Sequence, residues 1–223
     1  DLAKEHPDKL KEMIDLWYSE ARTYNVLPLQ GTIGQRTTFP RPMPGRATDK
    51  HVYFPGAPVG ALVAPNTYNR PHTITAEVHV PEGGAEGVIY ALGSNAGGYA
   101  LFVKDGALNF VYNYEGHERY RIVSDKALPE GDVTIQYGFE VTGDPDFKNG
   151  SGAPGTGILA VNGEKVGTVD MDKTTPFIFC IEGLSVGYDY GDTVDHESYR
   201  DAFPFTGTIT KVTYDVSGDA IHD

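Results

Sequence analysis

The sequence predicts a mainly β protein: an antiparallel β-sandwich of jelly-roll type, preceded by one N-terminal α-helix and a Pro/Gly-rich linker. Three observations carry this reading. Apolar and polar residues alternate strictly in several segments. Ile74, Ala76, Val78 and Val80 alternate with Thr75, Glu77 and His79. Leu108, Phe110, Tyr112 and Tyr114 alternate with Asn109, Val111 and Asn113. Such alternation places one strand face on a core and leaves the other polar. Second, Asp105-Gly106 and Asn162-Gly163 sit between such segments, and these dipeptides supply the positive φ of tight hairpin turns. Third, about a dozen short strand patterns follow residue 51 at roughly ten-residue intervals, with no helical pattern long enough for a crossover.

The elements follow in order. Leu10, Met13, Ile14, Leu16, Trp17 and Ala21 recur at helical spacing, which predicts a helix from near Pro7-Asp8 to near Asn25, with Pro28 beyond it. Its apolar stripe needs a partner surface. Residues 30–50 read as a linker, because Gly31, Gly34, Pro40, Pro42, Pro44 and Gly45 break any periodicity. The expected organisation is therefore 1–29 helix, 30–50 linker and 51–223 β-sandwich. Ile135, Tyr137, Phe139 and Val141 form another alternating strand. Pro129-Glu130-Gly131 and Glu182-Gly183 are turns. The Asp-, Asn-, Gly- and Pro-rich loop from Gly143 to Gly157 is the segment expected to move most. Phe177-Ile178-Phe179-Cys180-Ile181 alternates like a strand, so Cys180 is expected as a small buried hydrophobe.

Composition excludes several classes of function. The chain has 223 residues, 39% hydrophobic and 22% charged, which is enough for a sizeable core and argues against wholesale disorder. No apolar run approaches the length of a membrane span. The formal net charge is −13, and Arg36, Arg41 and Arg46 are spread through the linker, so neither nucleic acid nor an anionic membrane is an expected partner. A lone cysteine forms no internal disulfide. The N-terminus lacks a signal-peptide pattern and an initiator Met, so the chain is expected to be cut from something longer. A cytoplasmic and a periplasmic location both stay open.

The chemical motifs are sparse. Seven histidines show no zinc-type spacing. No Gly-x-Ser-x-Gly elbow is present. Gly93-Ser94-Asn95-Ala96-Gly97-Gly98 leads into a strand and reads as a hairpin connection, not a phosphate loop. Glu77 and Glu140 each lack a second carboxylate two residues away, which argues against glycoside hydrolysis of the paired-carboxylate kind. The densest polar cluster runs from Gly187 to Glu197. Within it Asp189, Asp192 and Asp195 recur every third residue. Hard oxygen ligands of this kind on a loop suit Ca²⁺, whereas turn formation and backbone capping are the alternative. Tyr188, Asp189, Tyr190, Asp192 and Asp195 are the candidate ligand-binding set. Tyr112, Asn113, Tyr114, Tyr120 and Tyr188 suit a sugar groove by residue type, but Tyr112 and Tyr114 share the face of Leu108 and Phe110, which is the core pattern.

Two stretches resemble a known family. Asp1-Leu2-Ala3-Lys4-Glu5-His6-Pro7-Asp8-Lys9-Leu10, continuing through Leu16-Trp17, Glu20-Ala21, Tyr24 and Asn25-Val26-Leu27-Pro28-Leu29, resembles the helix that closes the sulfatase domain of bacterial arylsulfatases. Gly97 to Gly106, Phe110 to Asn113, Leu184 to Asp189 and Phe205 to Ile209 are similar, in the same order, to the C-terminal region of long members of that family. Together these cover nearly the whole chain. The resemblance implies a parent sulfate-ester hydrolase of the alkaline-phosphatase-like superfamily. That parent's nucleophile is a formylglycine made in a Cys/Ser-x-Pro/Ala-x-Arg motif, and its metal is usually Ca²⁺. Here Cys180 is followed by Ile181-Glu182-Gly183-Leu184, so the motif fails, and the metal-binding Asp pairs of that domain are missing too. No catalytic residue carries over to this sequence, and no cofactor is expected in it.

Two functions follow as expectations. One is a non-catalytic C-terminal domain of an arylsulfatase, supporting the active-site rim, gating substrate or forming an oligomer. Its partners would be the parent's N-terminal sulfatase domain and a second copy of the chain. The other is an autonomous lectin-like module on a concanavalin A-like or laminin G-like sandwich. Fold alone does not choose between them.

Overall fold

The computed structural model describes residues 2–24, 26–27, 49–177, 179 and 181–219. It divides into two compact units, Asp1–Gly45 and Arg46–Asp223. Most of the linker expected at 30–50 lies outside the described residues, as does Cys180.

In the first unit α1 spans Pro7–Thr23. Pro7 opens the first turn with its φ preset, Asp8 complements the positive end of the helix and Arg22 the negative end. Lys9–Glu12 and Lys11–Asp15 pair across one turn at 2.8 and 2.6 Å. Of the predicted stripe only Ala21 is buried; Leu10, Met13, Ile14, Leu16 and Trp17 are exposed.

The second unit is the predicted sandwich. Its strands are β1 Lys50–Tyr53, β2 His72–Val80, β3 Gly87–Ser94, β4 Gly97–Lys104, β5 Ala107–Tyr114, β6 Glu118–Ala127, β7 Gly131–Val141, β8 Gly155–Val161, β9 Glu164–Met171, β10 Leu184–Val186 and β11 Thr208–Asp215. One sheet has six strands in the order β1-β11-β2-β7-β8-β9. The other has five, in the order β10-β3-β4-β5-β6. Among the described residues every pairing between these strands is antiparallel. Asp105 and Gly106 have φ of 52° and 75°, and Asn162 and Gly163 have 50° and 83°. These are the mirror-image turns that match strand twist.

The facing sides of the two sheets form the main core. Phe110 stacks on Tyr137 across it with centroids 3.7 Å apart. Tyr90, Tyr99, Tyr112 and Tyr214 are all buried there, so Tyr112 of β5 is a core residue, and half-buried Tyr114 packs against the same core. In the six-stranded sheet the alternation holds: Ile74, Ala76, Val78 and Val80 are buried, while His79 is exposed and Thr75 and Glu77 are half-buried.

Two expectations need correction. The five-stranded sheet is not polar on its outer side. Val111 and Asn113 are fully buried, and every residue of β3 is buried. A second, smaller core of Val88, Ala91, Ala100, Phe102, Val111, Val194 and Tyr199 lies on that outer side. The continuous apolar runs of β3 and β4 are the sequence signal of burial on both faces. Next, no strand runs through the described residues of 177–181: Phe177 and Ile181 are exposed, and Phe179 alone is buried. The Gly143–Gly157 loop carries its own hydrogen bonds. Asp146 caps a short 3₁₀ turn, Gly152 N–H donates to Thr174 O at 2.7 Å, and Ala153 N–H donates to Asn69 Oδ1 at 2.9 Å.

Candidate functional site

The candidate site is the segment that covers the outer face of the five-stranded sheet, residues 187–205. Backbone hydrogen bonds fasten both its ends. Gly187 N–H donates to Ile89 O at 2.8 Å, Val88 N–H to Phe203 O at 2.7 Å, and Phe205 N–H to Gly187 O at 2.9 Å. Between these ends Val194 and Tyr199 insert into the second core, and the Tyr199 ring meets Phe102 edge-on at 5.0 Å.

The three aspartates of the predicted set have three separate sets of partners. Asp189 is buried. Its Oδ2 accepts hydrogen bonds from Val194 N–H at 2.9 Å and from the Tyr199 hydroxyl at 2.8 Å. Burial pushes its carboxyl up to about 6, against the opposing pull of those two hydrogen bonds. Asp192 sits nearer the surface, with Oδ2 accepting from Asn95 N–H at 3.3 Å and Oδ1 2.7 Å from His196 Nε2. Asp195 is fully buried. Burial opposes its ionisation, but the hydrogen bonds from Arg121, Ser198 and the Glu197 N–H, together with the Arg121 charge, outweigh that and hold its carboxyl below the usual range. Arg121 grips it with both terminal nitrogens, Nη2 donating to Oδ1 at 2.8 Å and Nη1 to Oδ2. A paired, bidentate arrangement is the strong form of such a contact. Arg121 Nη2 also reaches Glu197 Oε2 at 2.7 Å, and Arg119 Nε lies 3.4 Å from Asp195 Oδ1.

The tyrosines of the set point elsewhere. The Tyr188 hydroxyl donates to Gly56 O at 3.2 Å, and Tyr190 is exposed. Among the described residues no group of three or more His, Cys, Asp and Glu side chains is placed to hold a metal ion. Asp189 and Asp195 are thus hydrogen-bonded inside the cover, whereas Tyr190, Asp192, Glu197 and Arg200 are exposed and His196 is half-buried.

Arg119 and Arg121, which sequence reasoning did not single out, and Asn113, named there only for a sugar groove, complete the arrangement. Asn113 is a fully buried hub. Its Nδ2 donates to Val194 O at 2.9 Å, Asn95 O at 3.0 Å and Ser94 O at 3.3 Å, and its Oδ1 accepts from Gly116 N–H at 2.9 Å. Arg119 and Arg121 occupy one face of β6. The signal was present: two arginines at alternate positions of a strand, and an Asn next but one to Val111 on one strand face, both ask for buried partners.

No family model matches the sequence, and no curated protein matches it. Solved structures do resemble it in fold. Domains LG4-5 of the mouse laminin α1 chain align with a TM-score of 0.51 at 12% identity, over 76% of this chain and 40% of that one. A native heptameric SAP-like pentraxin from Limulus polyphemus aligns with a TM-score of 0.40 at 14% identity, over 74% of each chain. This chain thus spans about two fifths of the laminin structure it matches. At such identities the likeness is one of fold: a laminin G-like β-sandwich.

Proposed function

We propose that this chain is the non-catalytic C-terminal domain of an arylsulfatase, joined through α1 to a sulfatase domain that carries the chemistry. The observation that carries this reading is the apolar face of α1. Leu10, Met13, Ile14, Leu16 and Trp17 are between 42 and 59% exposed, on a helix whose residues resemble the closing helix of that domain. An apolar stripe of this size is normally covered. In the parent, formylglycine and a Ca²⁺ ion would cleave the sulfate ester. The sandwich would support the active-site rim, gate substrate or form an oligomer.

Detection of the native protein with an antibody raised against the sandwich tests this. A species several times larger than 24.2 kDa is the expected result, and a stable native species of 24.2 kDa overturns it. One observation favours the lectin-like alternative. Phe147 and Phe177 stack with centroids 5.4 Å apart, and Phe177 is 63% exposed; an aromatic pair of this kind suits a sugar face. With a net charge of −13, neutral glycans are the better candidates. Binding to a neutral glycan array that Phe177→Ala abolishes is the result that reading requires.

A further inference from the structure

The two sheets meet along one side through their edge strands β6 and β9. At Gly167 the strands are so close that a Cβ would collide with the Ile122 side chain. Toward the start of β9 they part, and the parting is built in by irregularities in both strands. The β5–β6 register shifts between Ala107 and Asn109, and the β8–β9 register shifts between Leu159 and Ala160. In the first shift the Ser124 side chain replaces the ladder: Leu108 N–H donates to Ser124 Oγ at 3.0 Å, and Ser124 Oγ donates to Lys126 O at 2.7 Å. Bulges of this type bend strands and re-aim side chains, and they are common beside binding sites.

The parting leaves a cleft of about 450 Å³, within the range of small-ligand sites. Buried Leu108 and Leu128 and half-buried Val161 and Val166 line it. Its charged residues are Lys126 and Lys165 together with Asp125 and Glu164, all exposed. Among the described residues neither lysine forms an ion pair. The neighbouring carboxylates therefore do not neutralise them by contact. A lysine stem is long enough to lie along apolar surface and carry its ammonium over the opening, whereas the aspartate stem is too short to follow it.

We propose that this cleft is a binding site for a small anionic amphiphile: a short aliphatic chain on the Leu108–Leu128–Val161–Val166 lining, with one carboxylate or sulfate head held by Lys126 and Lys165. It is separate from the 187–205 cover and does not depend on the arylsulfatase reading. Octanoate, 1-octanol and octylamine are the probes, each titrated below its aggregation concentration into the full chain by calorimetry, with amide NMR to locate the site. Octanoate is expected to bind saturably at one site, shifting the Leu108, Leu128 and Val166 resonances, and at least tenfold more tightly than octylamine. The Lys126→Ala/Lys165→Ala variant, altered only at exposed side chains, is expected to keep the wild-type melting point and to lose at least tenfold in octanoate affinity while its octanol affinity is unchanged. No saturable octanoate binding, equal affinity for the three probes, tighter binding of octylamine, or shifts confined to other residues would each overturn the proposal.

Discussion

The outer faces of the two sheets are built on opposite plans. On the six-stranded sheet the outer side chains of β2 are Thr73, Thr75, Glu77 and His79, and their contacts are surface pairs: Glu77 with Lys211 at 2.9 Å and His79 with Asp132 at 2.7 Å. On the five-stranded sheet the outer side is a second core, closed by the 187–205 cover and braced by the ion pairs of Asp195 and the hydrogen bonds of Asn113. The same kinds of polar contact therefore carry different weight. Exposed pairs contribute little because water competes for both partners. Buried ones are expensive to break, because the partner left behind has no water to turn to.

The largest expected effect tests this directly. Asp195→Ala removes the buried acceptor of Arg121 and leaves its guanidinium with only the exposed Glu197 carboxylate and the Ser198 hydroxyl as side-chain partners. A loss of about 3–5 kcal/mol is expected, read from urea unfolding. A loss below about 1 kcal/mol would mean that the cover is held by its apolar side chains alone. Next comes Asn113→Ala, which orphans the Val194 and Asn95 carbonyls and the Gly116 N–H together. About 2–3 kcal/mol is expected, with amide exchange of 187–205 accelerating more than that of β2. Uniform acceleration over both sheets would show that the cover is not a separate unit.

The pH dependence separates the two buried carboxyls. The folded state raises Asp189 to about 6, above its unfolded value near 3.9. Its contribution to stability is then full below about pH 4 and is lost as pH rises to about 6, a change on the order of 3 kcal/mol. Asp195 is lowered and acts in the opposite sense: its contribution is present above its unfolded value and is lost as pH falls. Asp189→Asn is expected to flatten stability between pH 4 and 6 and to leave the more acidic limb intact. An unchanged slope in that interval would place the titration elsewhere.

How much of this was legible depended on which face of a strand was being read. Period-two alternation located β2, β5 and β7 and assigned Tyr112 to the core, because a face packed on the opposite sheet needs only local pattern. The turns at Asp105-Gly106 and Asn162-Gly163 were equally local. The outer face of the five-stranded sheet was not legible that way. Its burial depends on a segment some eighty residues further along the chain from Asn113, whose Nδ2 meets Val194 O. Nothing near Asn113 or Arg121 in sequence names Val194 or Asp195 as partner. The Asp-rich cluster was noticed for its composition, but spacing along a loop does not tell whether carboxylates converge on one ion or diverge to separate donors. Here they diverge. The continuous apolar runs of β3 and β4 were a local clue to burial on both faces, but not to what buries them.

The smallest expected effect completes the comparison. Glu77→Ala removes one half of the Glu77–Lys211 pair, in which both side chains are about two fifths exposed, at 42 and 37%. Water takes up the freed ammonium, and the pair had already given up side-chain entropy to form, so the loss should be about 0.5 kcal/mol or less. Raising salt to 1 M should shrink it further, since the screening length then falls to about 3 Å. The Asp195–Arg121 pair, with its aspartate sealed under the cover, should keep most of its effect at the same salt. If Glu77→Ala cost as much as Asp195→Ala, or if both responded equally to salt, the difference between an open and a covered sheet face would not be the source of the energetics described above.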